Sequence, residues 1–223
     1  MASVQAIRNR QGLEASPIRG LYATPTALLP FMRGVVIRAF VLAREAGTII
    51  VYNAPGVSAA AAEIEALGRI DRLLVNHWHE GMFADPSFAV PAYVHELDRR
   101  QTAMTIAGTF SRRERIADDL EVIPTPGHTA GATMFLWDNG TQRVLFPGDT
   151  IWVQGGAWKA VLLGESDRDD YVASLQLLLD VEFDYLVPWG AEEDAPFAHA
   201  VTQEEARQNL QQIIDRLEAG QGA

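Results

Sequence analysis

The amino-acid sequence predicts an α/β chain, of the α+β kind, in which two packed β-sheets carry helices on their outer faces within one domain. Two successive stretches, roughly residues 20–115 and 120–219, each run through short apolar strands and close on a helical pattern. No flexible linker or shift of composition separates them. A chain of 223 residues, 48% hydrophobic, suits a single large domain that needs neither disulfide nor partner to be stable. The expected organisation is a polar N-terminal arm over residues 1–19, carrying Arg8, Arg10 and Arg19, and one domain over 20–223.

The elements follow from local pattern. Residues 35–42 are β-branched and apolar, and Thr48 to Asn53 repeats that character after the turn signal Glu45-Ala46-Gly47, so the two are expected to pair antiparallel. Ser58 is placed as N-cap of an alanine-rich helix from Ala59 to Leu67, ended by Gly68. Ile70 to Asn76 reads as a buried strand that delivers the chain into His77-Trp78-His79, and Phe88 to Val94 as a further short strand. The polar segment from Glu96 to Asp119 is expected to be partly helical. Leu120 to Ile123, Thr133 to Trp137 and Arg143 to Phe146 are short strands separated by turns, and Tyr185 to Val187 is a last one. Asp169 to Leu179 and Thr202 to Leu217 have helical periodicity. In the second of these, Thr202 and Glu205 form a capping-box signature.

Composition excludes several classes of function. A net charge of −11 argues against nucleic acid, whose phosphates demand a basic surface. No stretch approaches the ~18 uninterrupted apolar residues of a membrane span. The polar N-terminus lacks the apolar core of a secretory signal, so a cytoplasmic location is expected. There is no cysteine, which removes thiolate metal sites, cysteine nucleophiles and disulfide frameworks together. Any transition metal must therefore be held by carboxylates and by the five histidines, His77, His79, His95, His128 and His199.

Three segments carry chemistry. His77 and His79 follow a buried strand, and in an extended segment residues two apart face the same side, where two imidazoles converge on one cation. Pro126-Gly127-His128-Thr129-Ala130-Gly131 sets a histidine between glycines in a tight loop. Val144-Leu145-Phe146-Pro147-Gly148-Asp149 ends an apolar strand in a carboxylate. Each alone has an ordinary explanation: a chance pair, a hydrogen-bonded turn histidine, an aspartate capping a turn.

Taken together, the order and spacing of these segments resemble the metallo-β-lactamase superfamily, from about Val35 to Gly190. The resemblance rests on His77-x-His79, on Thr125-Pro126-Gly127-His128-Thr129-x-Gly131, the most specific of the three, and on Phe146-x-Gly148-Asp149. It implies an αββα sandwich of two mixed sheets, with a metal at one edge of the sheets. It also implies hydrolysis of esters, thioesters, lactones, amides or phosphoesters by zinc-bound water.

The departures from the family pattern are as informative. The family's first motif continues with an aspartate and a histidine for a second metal, and here those positions are Gly81 and Met82. A histidine expected after the last core strand is missing from Pro188-Trp189-Gly190-Ala191, and the aspartate after the second strand is Asn53. Glu80, Asp85 and His199 are the candidates to replace them. Glu80 could turn toward the cleft as a catalytic group, and its ordinary role would be a solvated loop carboxylate. His95 is placed at a helix start without a role. Trp78, Trp152 and Trp158 either line the cleft or pack.

The expectation is thus one metal ion, zinc, with iron as the alternative, held by His77, His79, His128 and Asp149. Asp149 and Glu80 are the candidate catalytic groups, acting on a small-molecule ester, thioester, lactone or phosphoester. No nucleic acid or membrane partner is expected. Two other functions fit the same residues. One is a non-catalytic member of the fold that binds a ligand or partner. The other is a mononuclear non-haem iron oxygenase using His77, His128 and Asp149.

Overall fold

In the computed structural model, which describes residues 12–221, most of the chain forms two mixed sheets. The first has seven strands in the order Glu14–Ala15, Leu21–Ala23, Phe40–Leu42, Thr48–Val51, Ile70–Leu74, Ala92–His95 and Ile106–Phe110. It is antiparallel up to Thr48–Val51 and parallel from there to Ile106–Phe110. The second has six strands: Glu114–Ala117, Leu120–Pro124, Thr133–Asp138, Arg143–Phe146, Tyr185–Leu186 and His199–Ala200. Only Arg143–Phe146 with Tyr185–Leu186 is a parallel pair there. A hairpin of Trp152–Gln154 with Ala157–Lys159 and a small sheet of Gly190–Glu192, Val35–Ile37 and Ala27–Leu28 complete the strands among the described residues. The expected α+β class and pair of mixed sheets are both present.

The strand Thr133–Asp138 explains why these segments read as unbroken apolar runs. Successive side chains point to opposite faces. Phe135 and Trp137 enter the core shared by the two sheets, with Phe40, Ile50, Val122 and Phe146. Met134 and Leu136 enter a second core beneath the helices Arg168–Leu178 and Gln203–Glu218, against Tyr171, Leu175, Leu210 and Ile213. Each such leucine or isoleucine contributes roughly 1.5–3 kcal/mol on full burial. Both helices start as their sequences dictate. The Asp167 side chain accepts from the Asp170 N–H, and the Thr202–Glu205 capping box is complete in both directions. No described helix is long and apolar enough to cross a membrane.

Four local expectations are corrected. Residues 35–42 are not one strand: the chain breaks at Arg38–Ala39 and continues in a different sheet, because the Arg38 N–H bonds to the Trp189 carbonyl and the Ala39 N–H to Thr24 Oγ1. The alanine-rich helix starts earlier, at Pro55, and divides into Pro55–Ala59 and Ala61–Ala66 at Ala60. Ser58 does not cap it; its hydroxyl accepts instead from the Ser87 N–H. Between Glu96 and Asp119 no α-helix forms, and turns lead into two strands. The arm expected over residues 1–19 also differs. Within it, Glu14–Ala15 pairs with Leu21–Ala23 in the first sheet, and Ile18 is fully buried. Residues 1–11 of that arm lie outside the described residues.

Candidate metal centre

Both sheets feed one cluster. The strand Ile70–Leu74 runs through Val75 and Asn76 to His77, whose backbone is still extended. Trp78–Met82 then forms a short 3-10 helix, so, contrary to the expectation from their spacing, His77 and His79 do not share one face of a strand. They converge because the turn brings His79 back over His77, with ring centroids 5.0 Å apart. His128 follows the strand Leu120–Pro124 of the second sheet, and Asp149 follows Arg143–Phe146. Gly127 is required before His128, since it has φ 137° and a Cβ there would lie 2.5 Å from the Tyr171 backbone.

The ligand atoms of His77, His79, His128 and Asp149 all lie within 4.8 Å of one another. His79 Nδ1 is 3.1 Å from His128 Nε2, and Asp149 Oδ2 is 3.5 Å from His77 Nε2 and 3.8 Å from His128 Nε2. The outward nitrogen of every ring has its own acceptor. His77 Nδ1 meets Asn76 Oδ1 at 3.0 Å, His128 Nδ1 meets the Val161 carbonyl at 2.7 Å, and His79 Nε2 meets Glu165 Oε1 at 2.9 Å. Such partners place the ring proton outward and leave the inward nitrogen as a lone pair. Three lone pairs and a carboxylate then face one another, and His77 Nε2 is buried with no hydrogen bond. A set of that kind is repulsive by itself and suits a cation. The four side chains fit a metal ion.

Electrostatics agree with neutral ligands. Burial, then the neighbouring imidazole charge, holds both His79 and His128 below the usual imidazole range. Burial pushes the Asp149 carboxyl up, but its interactions with His77 foremost, and with His128 and His79, outweigh that and leave the group below the usual carboxylate range. Its side chain is 22% exposed, so the one carboxylate of the cluster is open to solvent.

No family model matches the chain, and no curated protein resembles it significantly in sequence. Solved structures do match. A metallo-β-lactamase from Pontibacter korlensis superposes with a TM-score of 0.68 at 18% identity, covering 92% of this chain and 99% of that one. One from Hirschia baltica gives 0.69 at 14% identity, with 91% and 98% covered. A metallo-beta-lactamase family protein from Thermus thermophilus gives 0.63 at 16%, with 92% and 81% covered. The chain has the metallo-β-lactamase fold.

The positions at which the sequence departs from the resemblance's second-metal pattern are Gly81, Met82, Asn53 and the segment around Trp189. A Cβ on Gly81 would come within 2.8 Å of the Ala103 backbone nitrogen, so no side chain fits there without movement. Met82 is 46% exposed. Trp189 is buried with its ring edge-on to His77, 5.5 Å between centroids, and its Nε1–H donates to the Asn53 carbonyl. Asn53 Nδ2 in turn donates to the carbonyls of Glu80 and Ala84. Glu80 neither turns to the cleft nor meets solvent. It is fully buried, accepts from the backbone N–H groups of Asn53 and Asn76, and braces the segment that carries His77. Burial pushes its carboxyl well above the usual range, against those two donors. Asp85 is exposed and accepts from the Thr105 N–H, His95 is buried at a strand end, and His199 lies in the strand His199–Ala200; none of them joins the cluster. Trp158 packs on Phe183 in the second core, whereas Trp78 lies against the His79 ring, centroids 3.9 Å apart.

Several supporting groups escape sequence reasoning. Glu165, Asp98, Tyr52 and the Val161 carbonyl bond to the cluster's loops from distant parts of the chain. Asn76 alone carried a local signal, being next to His77. Tyr52 has the only positive φ of a non-glycine residue among those described, 70°, and its hydroxyl accepts from the Gly148 N–H and donates to the Val187 carbonyl. Gly148 itself has φ 59°, and a Cβ there would run into the Asn76 side-chain amide. Gly148→Ala is therefore expected to displace the amide that orients His77. The variant should lose about 2 kcal/mol or more of stability, from the strained backbone and the clash together, and should bind metal more weakly. Urea unfolding and a zinc titration check both effects.

Proposed function

We propose that this chain is a metal-dependent hydrolase that uses one metal ion, zinc, on a small ester, thioester, lactone or phosphoester. The observation that carries this reading is the inward set of His77 Nε2, His79 Nδ1, His128 Nε2 and Asp149 Oδ2, with each imidazole proton held outward by Asn76, Glu165 or Val161. When bound, zinc supplies a nucleophile at neutral pH by acidifying water and polarises the substrate oxygen. The chain supplies the rest. Three neutral imidazoles would leave the ion's charge undiminished, and Asp149, ionised and partly exposed, would face the ion through Oδ2 and accept the attacking water's proton on its other carboxylate oxygen. The closed space at Gly81 and the Trp189 ring beside His77 support one ion and not two.

Elemental analysis of dialysed protein tests the proposal, together with a panel of small esters, thioesters, lactones and phosphoesters. The expected result is about one zinc per chain and hydrolysis that stops when the metal is removed. Two metals per chain would contradict the single site. Iron in its place would favour the oxygenase, and a metal-replete protein inactive on the whole panel would favour a binding role.

A further inference from the structure

The cluster joins two loops from different sheets: His77 to His79 on one and Gly127 to Gly131 on the other. They meet on a residue that is not a ligand. Asp98 sits in the turn after Ala92–His95, anchored by its own N–H to the His95 carbonyl and by Thr102, whose N–H and hydroxyl both bond to the Asp98 carbonyl. Its carboxylate is 1% exposed. Oδ2 accepts from the Trp78 N–H at 3.0 Å and from the Thr129 hydroxyl at 2.7 Å, and Oδ1 accepts from the Gly131 N–H at 2.8 Å. Trp78 lies between His77 and His79, and Thr129 is next to His128. Gly131 can carry no side chain, because a Cβ would fall 2.6 Å from Asp98 Cγ.

We propose that Asp98 is the positioning residue that ties the two histidine loops together and thereby sets how tightly the centre holds its metal; this rests on the metal-centre reading above. Three hydrogen bonds to one buried carboxylate are stronger and geometrically stricter than neutral ones. Leaving any donor without its acceptor in a dry site is costly, so the loops move together or not at all. The imidazoles of one loop are thus presented to the ion at a fixed distance from that of the other, and the ordering cost is met before binding.

Asp98→Asn keeps the shape but puts an NH2 group where either Trp78 or Gly131 also offers N–H, so one loop is released. Thr129→Val removes the hydroxyl arm alone and carries the same test if the asparagine variant does not fold. Zinc affinity is measured by competition with a chelator, and amide hydrogen exchange on the metal-free proteins. Asp98→Asn should weaken zinc roughly 10–100-fold, as outer partners of metal ligands do, and Thr129→Val by less. In the metal-free proteins the Trp78 and Gly131 amides should exchange at least about tenfold faster in Asp98→Asn, while those of Gln203–Glu218 keep their protection. In a His128→Ala background, where the second loop has no imidazole to present, the affinity cost of Asp98→Asn should fall below about twofold. A folded Asp98→Asn protein that binds zinc like wild type overturns the proposal alone. So does an equal cost with and without His128, which would make Asp98 an ordinary structural brace. A wild-type protein that takes up no zinc overturns the metal reading and this inference with it.

Discussion

Replacing His128 by alanine is expected to empty the centre of metal while leaving the two-sheet core intact. The ring supplies one of four ligand atoms and the only imidazole of the second loop, so its loss should cost more than the roughly 10–100-fold typical of an outer partner. Metal analysis after dialysis should fall from about one ion per chain to nearly none. The stability consequence separates into two parts. With metal at about 100 times its dissociation constant, binding stabilises wild type by roughly 2.7 kcal/mol, and that contribution disappears. The metal-free proteins should differ by only about 1–2 kcal/mol. The variant leaves the Val161 carbonyl without its partner, but it also removes one of three lone pairs that face each other. Thermal unfolding with and without excess chelator measures both parts. A variant that keeps its full metal content would show that His128 is a structural turn histidine.

Asp149→Asn should act mainly on chemistry. The substitution keeps the side chain's size and removes its charge, and with it the proton-accepting carboxylate. Three imidazoles still hold the ion, so at saturating zinc the variant should be metal-replete. Its turnover should nevertheless fall about 100-fold or more, the range typical of a lost general base, with a smaller change in KM. His77→Ala serves as the control that loses metal and activity together. If Asp149→Asn retains wild-type turnover when fully loaded, Asp149 is a ligand only and the base lies elsewhere.

How these residues came to be found separates local from long-range information. The apolar run of Thr133–Asp138 and the capping box at Thr202 are written in neighbouring residues, because strand and helix patterns are local. The four cluster members were legible because strand ends and glycine turns mark them. Which nitrogen of each ring points inward was not, since it depends on Asn76, Val161 and Glu165, two of them 33 and 86 residues away from the ring they hold. Asp98 looked like one more charge in a polar segment expected to be helical, and its three donors lie 20, 31 and 33 residues along the chain. Glu80 carries no sign of its burial, which follows from the backbone donors of Asn53 and Asn76 closing over it. The departures from the family pattern were visible as letters at Gly81 and Met82. That Ala103 lies close behind Gly81 and the Trp189 ring beside His77 was not. By itself the sequence determined the fold class, most of the central strands, two of the helices and the members of the cluster, because those depend on residue type and spacing. The tertiary structure alone decided how the loops lock, which lone pairs converge and what is closed off. Those depend on contacts between segments that no local pattern encodes.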